Sequence, residues 1–201
     1  MPIFIGTKFR QMVATVSNEQ QNRLHPLKFT LWVAIASIMM MFAGLTSAFI
    51  VKSNLTGWRT IDMPAIFWVS TAAIVLSSLT IILAKRAFIN REMQKYRVLL
   101  AATLVFGVLF TICQVLGFSQ LWEQNVRFKG SSGAGQFFYA ITGLHALHVL
   151  GGIIAVAIFL IKSWVGKVKV YSPVPLQVLS IYWHFIHILW VYLMIFFLIV
   201  A

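Results

Sequence analysis

Four histidines, arranged in two pairs, are the residues of this chain best suited to chemistry. His145 and His148 lie in YAITGLHALHVLGG, and His184 and His187 lie in YWHFIHILW. Residues three apart share one face of a helix, so each pair points in one direction. Both pairs fall in hydrophobic runs long enough to cross a bilayer, where an ionisable side chain is costly. Histidine is a common ligand of haem and transition metals, so the pattern indicates either ligation or polar contact between helices.

The composition is that of a membrane protein rather than of a soluble domain. Of the 201 residues, 60% are hydrophobic and 10% are charged. No acidic residue falls inside a long hydrophobic run, and Lys and Arg lie at or beyond the ends of these runs. Basic loops beside anionic lipid explain the net charge of +12, so we expect no nucleic acid partner. The single cysteine, Cys113, is expected to be a small buried apolar residue.

Five hydrophobic runs each hold enough residues to cross a hydrocarbon core of about 30 Å. The predicted fold is therefore an all-α polytopic membrane protein with five transmembrane helices in a bundle. The predicted spans are 29–51, 64–84, 98–122, 137–162 and 178–200. Twelve Lys and Arg lie on the side of the N-terminus and four on the other side, which places the N-terminus in the cytoplasm and the C-terminus outside. Residues 1–28 are predicted to be a cytoplasmic arm, and residues 29–201 a single membrane domain.

The depth of the histidines in the membrane is compatible with a ligand site between the last two helices. If the last two helices are antiparallel neighbours, His148 and His187 both lie about 16 Å from the outer face. A haem, a metal ion or a quinone could then be held between them. However, two histidines on one helix cannot both be axial ligands of one haem, and the predicted spans contain no acid to support a metal site. Spacing alone therefore favours structural contacts over ligation.

Two further features indicate close helix packing. The indole N–H of Trp190 needs a hydrogen-bond partner in the membrane, which we expect on a partner subunit or on another helix. Small residues predict close approach of the second and fourth helices to their neighbours. They are Ala73, Ser77 and Thr80 on the second, and Gly151, Gly152 and Ala155 on the fourth. No phosphate-binding loop, hydrolytic triad or metalloprotease motif is present, so no independent catalysis is expected.

The motifs around the histidines resemble those of subunit III of the haem-copper oxidases. FFYAITGLHALHVLGG (137–152) and YWHFIHILWVYLMIFF (182–197) are similar to the family patterns FF-x-x-TG-x-H-x-x-HV-x-x-G and YWHF-x-D-x-x-W. LWVAIASIMMMFAGLTSAF (31–49) also resembles the family's first conserved helix, so the likeness covers about residues 28–200. The matching signature positions are Thr142, Gly143, His145, His148, Tyr182, Trp183, His184 and Trp190.

This resemblance implies a non-catalytic accessory subunit of a bacterial terminal oxidase, specifically a cytochrome c oxidase of aerobic electron transport. It implies that the chain stabilises the catalytic subunit, supports its proton uptake and binds phospholipid. Haem and copper are expected in oxidase subunits I and II, with none in this chain, and a larger respiratory supercomplex is a further expected partner. The implied location is the bacterial inner membrane. The signature residues would make structural, partner or lipid contacts, with no catalytic, cofactor or metal role.

The sequence departs from the family pattern at two positions. Ile38 follows Ser37 where many members have a glutamate, and His187 stands where the family has an aspartate. A base thus replaces an acid at position 187, so its partner must differ from the family's. Two alternatives remain open: a subunit III-like component of a nitric oxide reductase system, and a haem-binding redox subunit that uses His148 and His187.

Overall fold

The computed structural model describes residues 26–53, 64–123, 133–165 and 173–200, and these residues form five long helices. The helices are α1 (Pro26–Ser53), α2 (Ile66–Ile89), α3 (Met93–Glu123), α4 (Gly133–Val165) and α5 (Val174–Val200). The shortest has 24 residues, enough to cross a membrane, and the described residues contain no strand. The predicted all-α, five-span fold is confirmed. The predicted arm 1–28 lies outside the described residues except for its last three, which begin α1.

The helices are longer than the predicted spans because they continue into charged turns. α2 runs past the predicted end at residue 84 through Lys85 and Arg86, and α3 begins before residue 98 with Lys95 and Arg97 in its first turns. A long basic side chain can extend from a helix end toward the headgroup region while its stem stays in apolar surroundings. The length of a hydrophobic run therefore underestimates the length of the helix by one or two turns.

A tight turn joins α2 to α3 and fixes them as a hairpin. Arg91 has a φ of 60°, in the left-handed region, and lies between the two helix ends. The backbone N–H of Asn90 donates to Arg86 O, and that of Glu92 donates to Ala87 O. At the same end of the bundle, Arg97 Nη2 donates to Ser163 O at 2.6 Å and so ties the start of α3 to the end of α4.

α5 is the central helix of the bundle. It packs against α1, α2 and α4, while α3 packs between α2 and α4, and α1 packs on α4 and α5. The last two helices are antiparallel neighbours, which meets the condition for a shared depth of His148 and His187. Half of the most apolar stretch of α5 is buried inside the chain, against a third or less for the other helices. Among the described residues α1 and α2 make no contact with each other, because α5 lies between them.

Two clusters of buried residues form the core at different depths, each around one tryptophan of α5. The Trp183 cluster contains Ile81, Ala84, Ala87, Tyr96, Leu100, Val156, Leu176, Leu179 and Trp183. The Trp190 cluster is larger and rich in phenylalanine, with Phe42, Phe49, Phe67, Phe110, Phe138, Phe196 and Phe197 among its members. Seven residues separate the two indoles, which places them about 10 Å apart along α5. Cys113 is buried, as predicted.

Candidate functional site

Trp183 lies against two glycines that let the neighbouring helices approach it. A Cβ built on Gly107 of α3 would lie 3.0 Å from Trp183 Cη2, and one built on Gly152 of α4 would lie 2.9 Å from Cζ3. The indole Nε1 donates to Ser77 Oγ of α2 at 3.0 Å, and Ser77 Oγ donates to Thr103 O of α3 at 3.2 Å. The predicted close approach at Gly152 and Ser77 is confirmed. Trp183 therefore joins four helices at one level.

His187 has a hydrogen-bond partner on α2. Its Nδ1 lies 2.5 Å from Ser78 Oγ, and its ring meets the Trp183 ring edge to face with 5.0 Å between centroids. The side chain is buried. At the position where the family pattern has an aspartate, this chain thus has a base that pairs with a neutral hydroxyl. A hydroxyl can donate to or accept from imidazole, so the pair needs no charge on either side.

Trp190 is 1% exposed and is enclosed by other helices of the same chain. Its Nε1 donates to Thr71 Oγ1 of α2 at 3.1 Å, and its ring stacks on His145 of α4 with 5.4 Å between centroids. Phe110 of α3 meets the indole edge to face at 5.4 Å. The expected contact with another helix is confirmed. The side chain is almost completely buried within this chain, so it needs no partner subunit to satisfy its N–H or to cover its ring.

His145 is the most enclosed histidine, and it is not hydrogen-bonded to any described residue. It is 1% exposed, and both Nδ1 and Nε2 are buried without a partner. Besides the stack on Trp190, its ring lies edge to face against Phe42 at 6.4 Å and Phe110 at 6.3 Å. Gln114 of α3 is similar, because its Nε2 donates to Ser70 Oγ at 2.9 Å while its buried Oε1 lacks a partner in the described part of the chain.

The remaining signature residues of α4 bond within that helix or to α5. His148 Nδ1 donates to Leu144 O at 2.7 Å, and its ring lies edge to face against Phe42 of α1 at 6.0 Å. Tyr182 donates its hydroxyl to the carbonyl oxygen of His148 at 3.1 Å and so links α5 to α4. Thr142 Oγ1 donates to Phe138 O at 2.7 Å. At Gly143, a Cβ would meet nothing within 4 Å, so this glycine is not needed for packing inside the chain.

His184 is half-buried and lies in a groove on the surface of α2 and α5, here called the lateral groove. The groove has a volume of about 630 Å³. Its lining is Ile74, Val75, Ser78, Leu79, His184, His187, Ile188, Val191, Tyr192 and Ile195. Toward α1, Tyr192 Oη lies 3.1 Å from Thr46 Oγ1. The lateral groove is therefore apolar along most of its length, with the two histidines and Ser78 close together and the Tyr192 hydroxyl bonded to Thr46 of α1.

The histidines divide between several helices rather than converging on one ligand. The ring of His148 contacts α1, whereas His187 bonds α2, although their parent helices are antiparallel neighbours. Within the described ranges, no group of three or more His, Cys, Asp or Glu side chains is placed to hold a metal ion. The geometry is that of side chains that join helices.

Sequence reasoning missed the hydroxyl and amide partners of these rings. Thr71, Ser78 and Gln114 carry no motif, and each lies in a helix that is mostly apolar. A usable signal existed on α2, where hydroxyl residues occur in two groups six to seven residues apart, at 70–71 and 77–78. That spacing matches the seven residues between the two tryptophans of α5. Gln114 could have been found as the amide nearest the middle of the third span.

Comparison with known proteins agrees with the motif resemblance. The family model for cytochrome c oxidase subunit III matches residues 8–201. A probable cytochrome c oxidase subunit 3 of Nocardia farcinica is 30% identical over 191 residues, covering 89% of this chain and 93% of the relative. Cytochrome c oxidase subunit 3 of Bacillus subtilis is 26% identical over 166 residues, covering 81% and 80%. Cytochrome bo(3) ubiquinol oxidase subunit 3 of Buchnera aphidicola is 23% identical over 196 residues, covering 93% and 94%.

Proposed function

Because this chain belongs to the cytochrome c oxidase subunit III family, and is thus an accessory subunit of a terminal oxidase, we propose that it stabilises the catalytic subunit of that oxidase. The family match over nearly the whole chain is the observation that carries this proposal. The contacts of the signature residues support it, since His148, Tyr182, Trp183, His187 and Trp190 all bond or pack within the bundle. Oxygen reduction and proton pumping belong to the partners, oxidase subunits I and II, which carry the haem and copper.

Gentle solubilisation followed by affinity purification of this chain tests the proposal. Subunits I and II should copurify, and the purified complex should show haem absorption and reduce oxygen. Removal of this chain should leave the initial rate of oxygen reduction largely intact, but the activity should decay faster during turnover and proton uptake should slow. Isolation of the native chain as a stable protein without any haem-bearing partner would contradict the proposal.

The electron donor we propose is cytochrome c, following the names of the Nocardia and Bacillus relatives. The Buchnera relative is named as a ubiquinol oxidase subunit, so the donor needs its own test. The purified complex should oxidise reduced cytochrome c and leave a soluble quinol analogue unoxidised. Rapid quinol oxidation without cytochrome c would assign the subunit to a quinol oxidase. Reduction of nitric oxide without reduction of oxygen would favour the nitric oxide reductase alternative.

The charge distribution supports a location in the bacterial inner membrane with the N-terminus in the cytoplasm. One end of the described bundle carries seven Lys and Arg residues: Lys28, Lys85, Arg86, Arg91, Lys95, Arg97 and Lys162. The opposite end carries Lys52 among the described residues. Basic residues gather on the cytoplasmic side, where the lipid surface is anionic. A membrane-impermeant thiol reagent should label a cysteine placed at Trp68 from outside the cell, but not one placed at Trp164.

Phospholipid binding is proposed for the lateral groove. Its walls are apolar, and the exposure of Ile188 and Ile195 opens it to the hydrocarbon, as an acyl chain requires. Substitution of Val191 by Trp would fill the groove and should reduce the phospholipid that copurifies with the complex, as measured by native mass spectrometry. Ile199 is also on α5, is 77% exposed and lies outside the groove, so Ile199→Trp is the matched control. Equal lipid retention by the two variants would argue against this site.

A further inference from the structure

A small cavity lies between α3 and α4 and shares no lining residue with the lateral groove. Within this cavity, the centre of a water-sized sphere can take positions in a volume of about 10 Å³. Its lining is Phe110, Thr111, Gln114 and Phe118 from α3, with Thr142, His145, Ala146 and Val149 from α4. A buried water needs roughly this much room, about one sphere of its own size. The cavity is therefore large enough for one water molecule and too small for a lipid chain or an organic cofactor.

Of the four buried side-chain polar atoms that lack a partner in the described bundle, three belong to residues that line this cavity. They include Gln114 Oε1 and both ring nitrogens of His145. The two other polar side chains of the lining already donate to their own helices, Thr111 to Gly107 O at 3.1 Å and Thr142 to Phe138 O at 2.7 Å. Each threonine oxygen keeps free acceptor capacity, whereas the glutamine oxygen and the imidazole need a new partner.

The membrane makes an unsatisfied state costly. Polar groups buried away from water without a hydrogen bond lose the solvation that they have in the unfolded chain, and the hydrocarbon around the helices offers no replacement. Gln114 cannot serve His145 by turning its amide nitrogen inward without giving up Ser70, because Nε2 is the atom that bonds Ser70 Oγ. A third molecule that can both donate and accept satisfies the two side chains at once.

We propose that this cavity holds one ordered water molecule that donates to Gln114 Oε1 and exchanges a hydrogen bond with a ring nitrogen of His145. The water completes a link from Ser70 of α2 through Gln114 of α3 to His145 of α4. It also explains how a histidine is accommodated at a fully enclosed position beside Trp190. The rings of Phe42, Phe110 and Trp190 contact the same imidazole, and an N–H can donate weakly to the face of an aromatic ring.

The direct test is a cryo-EM map of the intact oxidase at a resolution that resolves internal waters. We expect one isolated density peak within hydrogen-bond distance of Gln114 Oε1 and of one His145 nitrogen. An empty cavity in a map that shows other buried waters would overturn the proposal. Density continuous with a partner side chain or with a lipid would also overturn it, since the cavity would then be a contact site rather than a water site.

Two variants make the test specific. Gln114→Leu removes the oxygen that holds the water, so the peak should vanish, and the melting temperature of the assembled complex should fall by a few degrees. Thr111→Val changes another lining residue of the same cavity and nearly conserves the side-chain volume. The peak should remain, because the Thr111 hydroxyl already donates its proton within α3. Loss of the peak in Thr111→Val, or its persistence in Gln114→Leu, would contradict the assignment of the water's partners.

If Gln114→Leu does not assemble, the milder Gln114→Met serves the same purpose. The double variant Gln114→Leu/His145→Phe provides a second readout, because it removes both groups that need the water. Its melting temperature should be higher than the sum of the two single shifts predicts, since neither side chain is then left unpaired. Strictly additive shifts would mean that no molecule couples the two positions and would refute the proposal.

Discussion

The two tryptophan clusters are built from the same parts but are packed differently. In each, an indole of α5 donates to a hydroxyl of α2 and contacts a histidine ring. Around Trp183, glycines on α3 and α4 let the backbones close onto the indole, and His187 has Ser78 as a partner. Around Trp190, phenylalanines fill most of the space, and His145 is left beside a cavity. Where the backbones are close, around Trp183, the buried imidazole has a protein partner. Where they are held apart by phenylalanines, around Trp190, it has none among the described residues.

The largest loss of the assembled subunit is expected when the Trp183 cluster, the more tightly packed of the two, is forced apart. In Gly152→Val, the new side chain would start 2.9 Å from the Trp183 ring, which is buried and cannot swing away. We expect α4 and α5 to separate and the subunit to be lost from the purified oxidase, as measured by its stoichiometry on a gel. Gly44→Val is the matched control, because a Cβ at Gly44 would meet nothing within 4 Å. Normal incorporation of Gly152→Val would mean that the glycines are not what closes this cluster.

Truncation of the other indole should cost less, because it removes packing without forcing neighbouring backbones apart. Loss of a buried tryptophan side chain costs about 3–5 kcal/mol of stability. For Trp190→Ala we expect a lower level of the subunit in membranes and a lower melting temperature of the complex. If the variant chain accumulates normally but separates from the catalytic subunit, then Trp190 acts at the subunit contact and its placement inside the bundle is wrong.

The hydroxyl partners of the two indoles provide a milder comparison. Ser77→Ala removes two hydrogen bonds, to Trp183 and to Thr103. A buried group left without its hydrogen bond costs about 1–3 kcal/mol of stability. Thr71→Val removes the bond to Trp190 but keeps nearly the same volume. We expect a larger fall in the melting temperature for Ser77→Ala, measured on the solubilised complex. The reverse order would show that the Trp190 cluster depends more on its hydrogen bond than on its packing.

The smallest effect is expected for the bond between His187 and Ser78. Hydrogen bonds between membrane helices are worth about 1 kcal/mol or less in double-mutant cycles. Ser78→Ala and His187→Leu should therefore each destabilise the complex slightly, and the double variant should lose less than the sum of the two. Thermal denaturation of the four proteins gives the coupling. A coupling of zero would mean that the close approach of these two side chains contributes nothing to stability.

The number and type of helices could be predicted from the sequence, because hydrophobic length is a local property. The side-chain pairs could not, as Trp190 illustrates: its need for a hydrogen-bond partner was evident, but the choice of Thr71 depends on how α2 and α5 align. His187 differed from the family's aspartate, and only the helix arrangement identifies Ser78 as its partner. The helix ends also exceeded the predicted spans at Lys85 and Arg97, because a basic residue ends a hydrophobic run without ending a helix.

The pairing of two indoles with two α2 hydroxyls has a consequence for the register of the bundle. A hydrocarbon environment is nearly indifferent to a helix that slides along its neighbour, since apolar side chains meet apolar surroundings at every position. Trp190 with Thr71 and Trp183 with Ser77 form two rungs about 10 Å apart between antiparallel helices. Sliding by one turn, about 5.4 Å, would break both rungs together. The two tryptophans therefore fix the position of the central helix along α2.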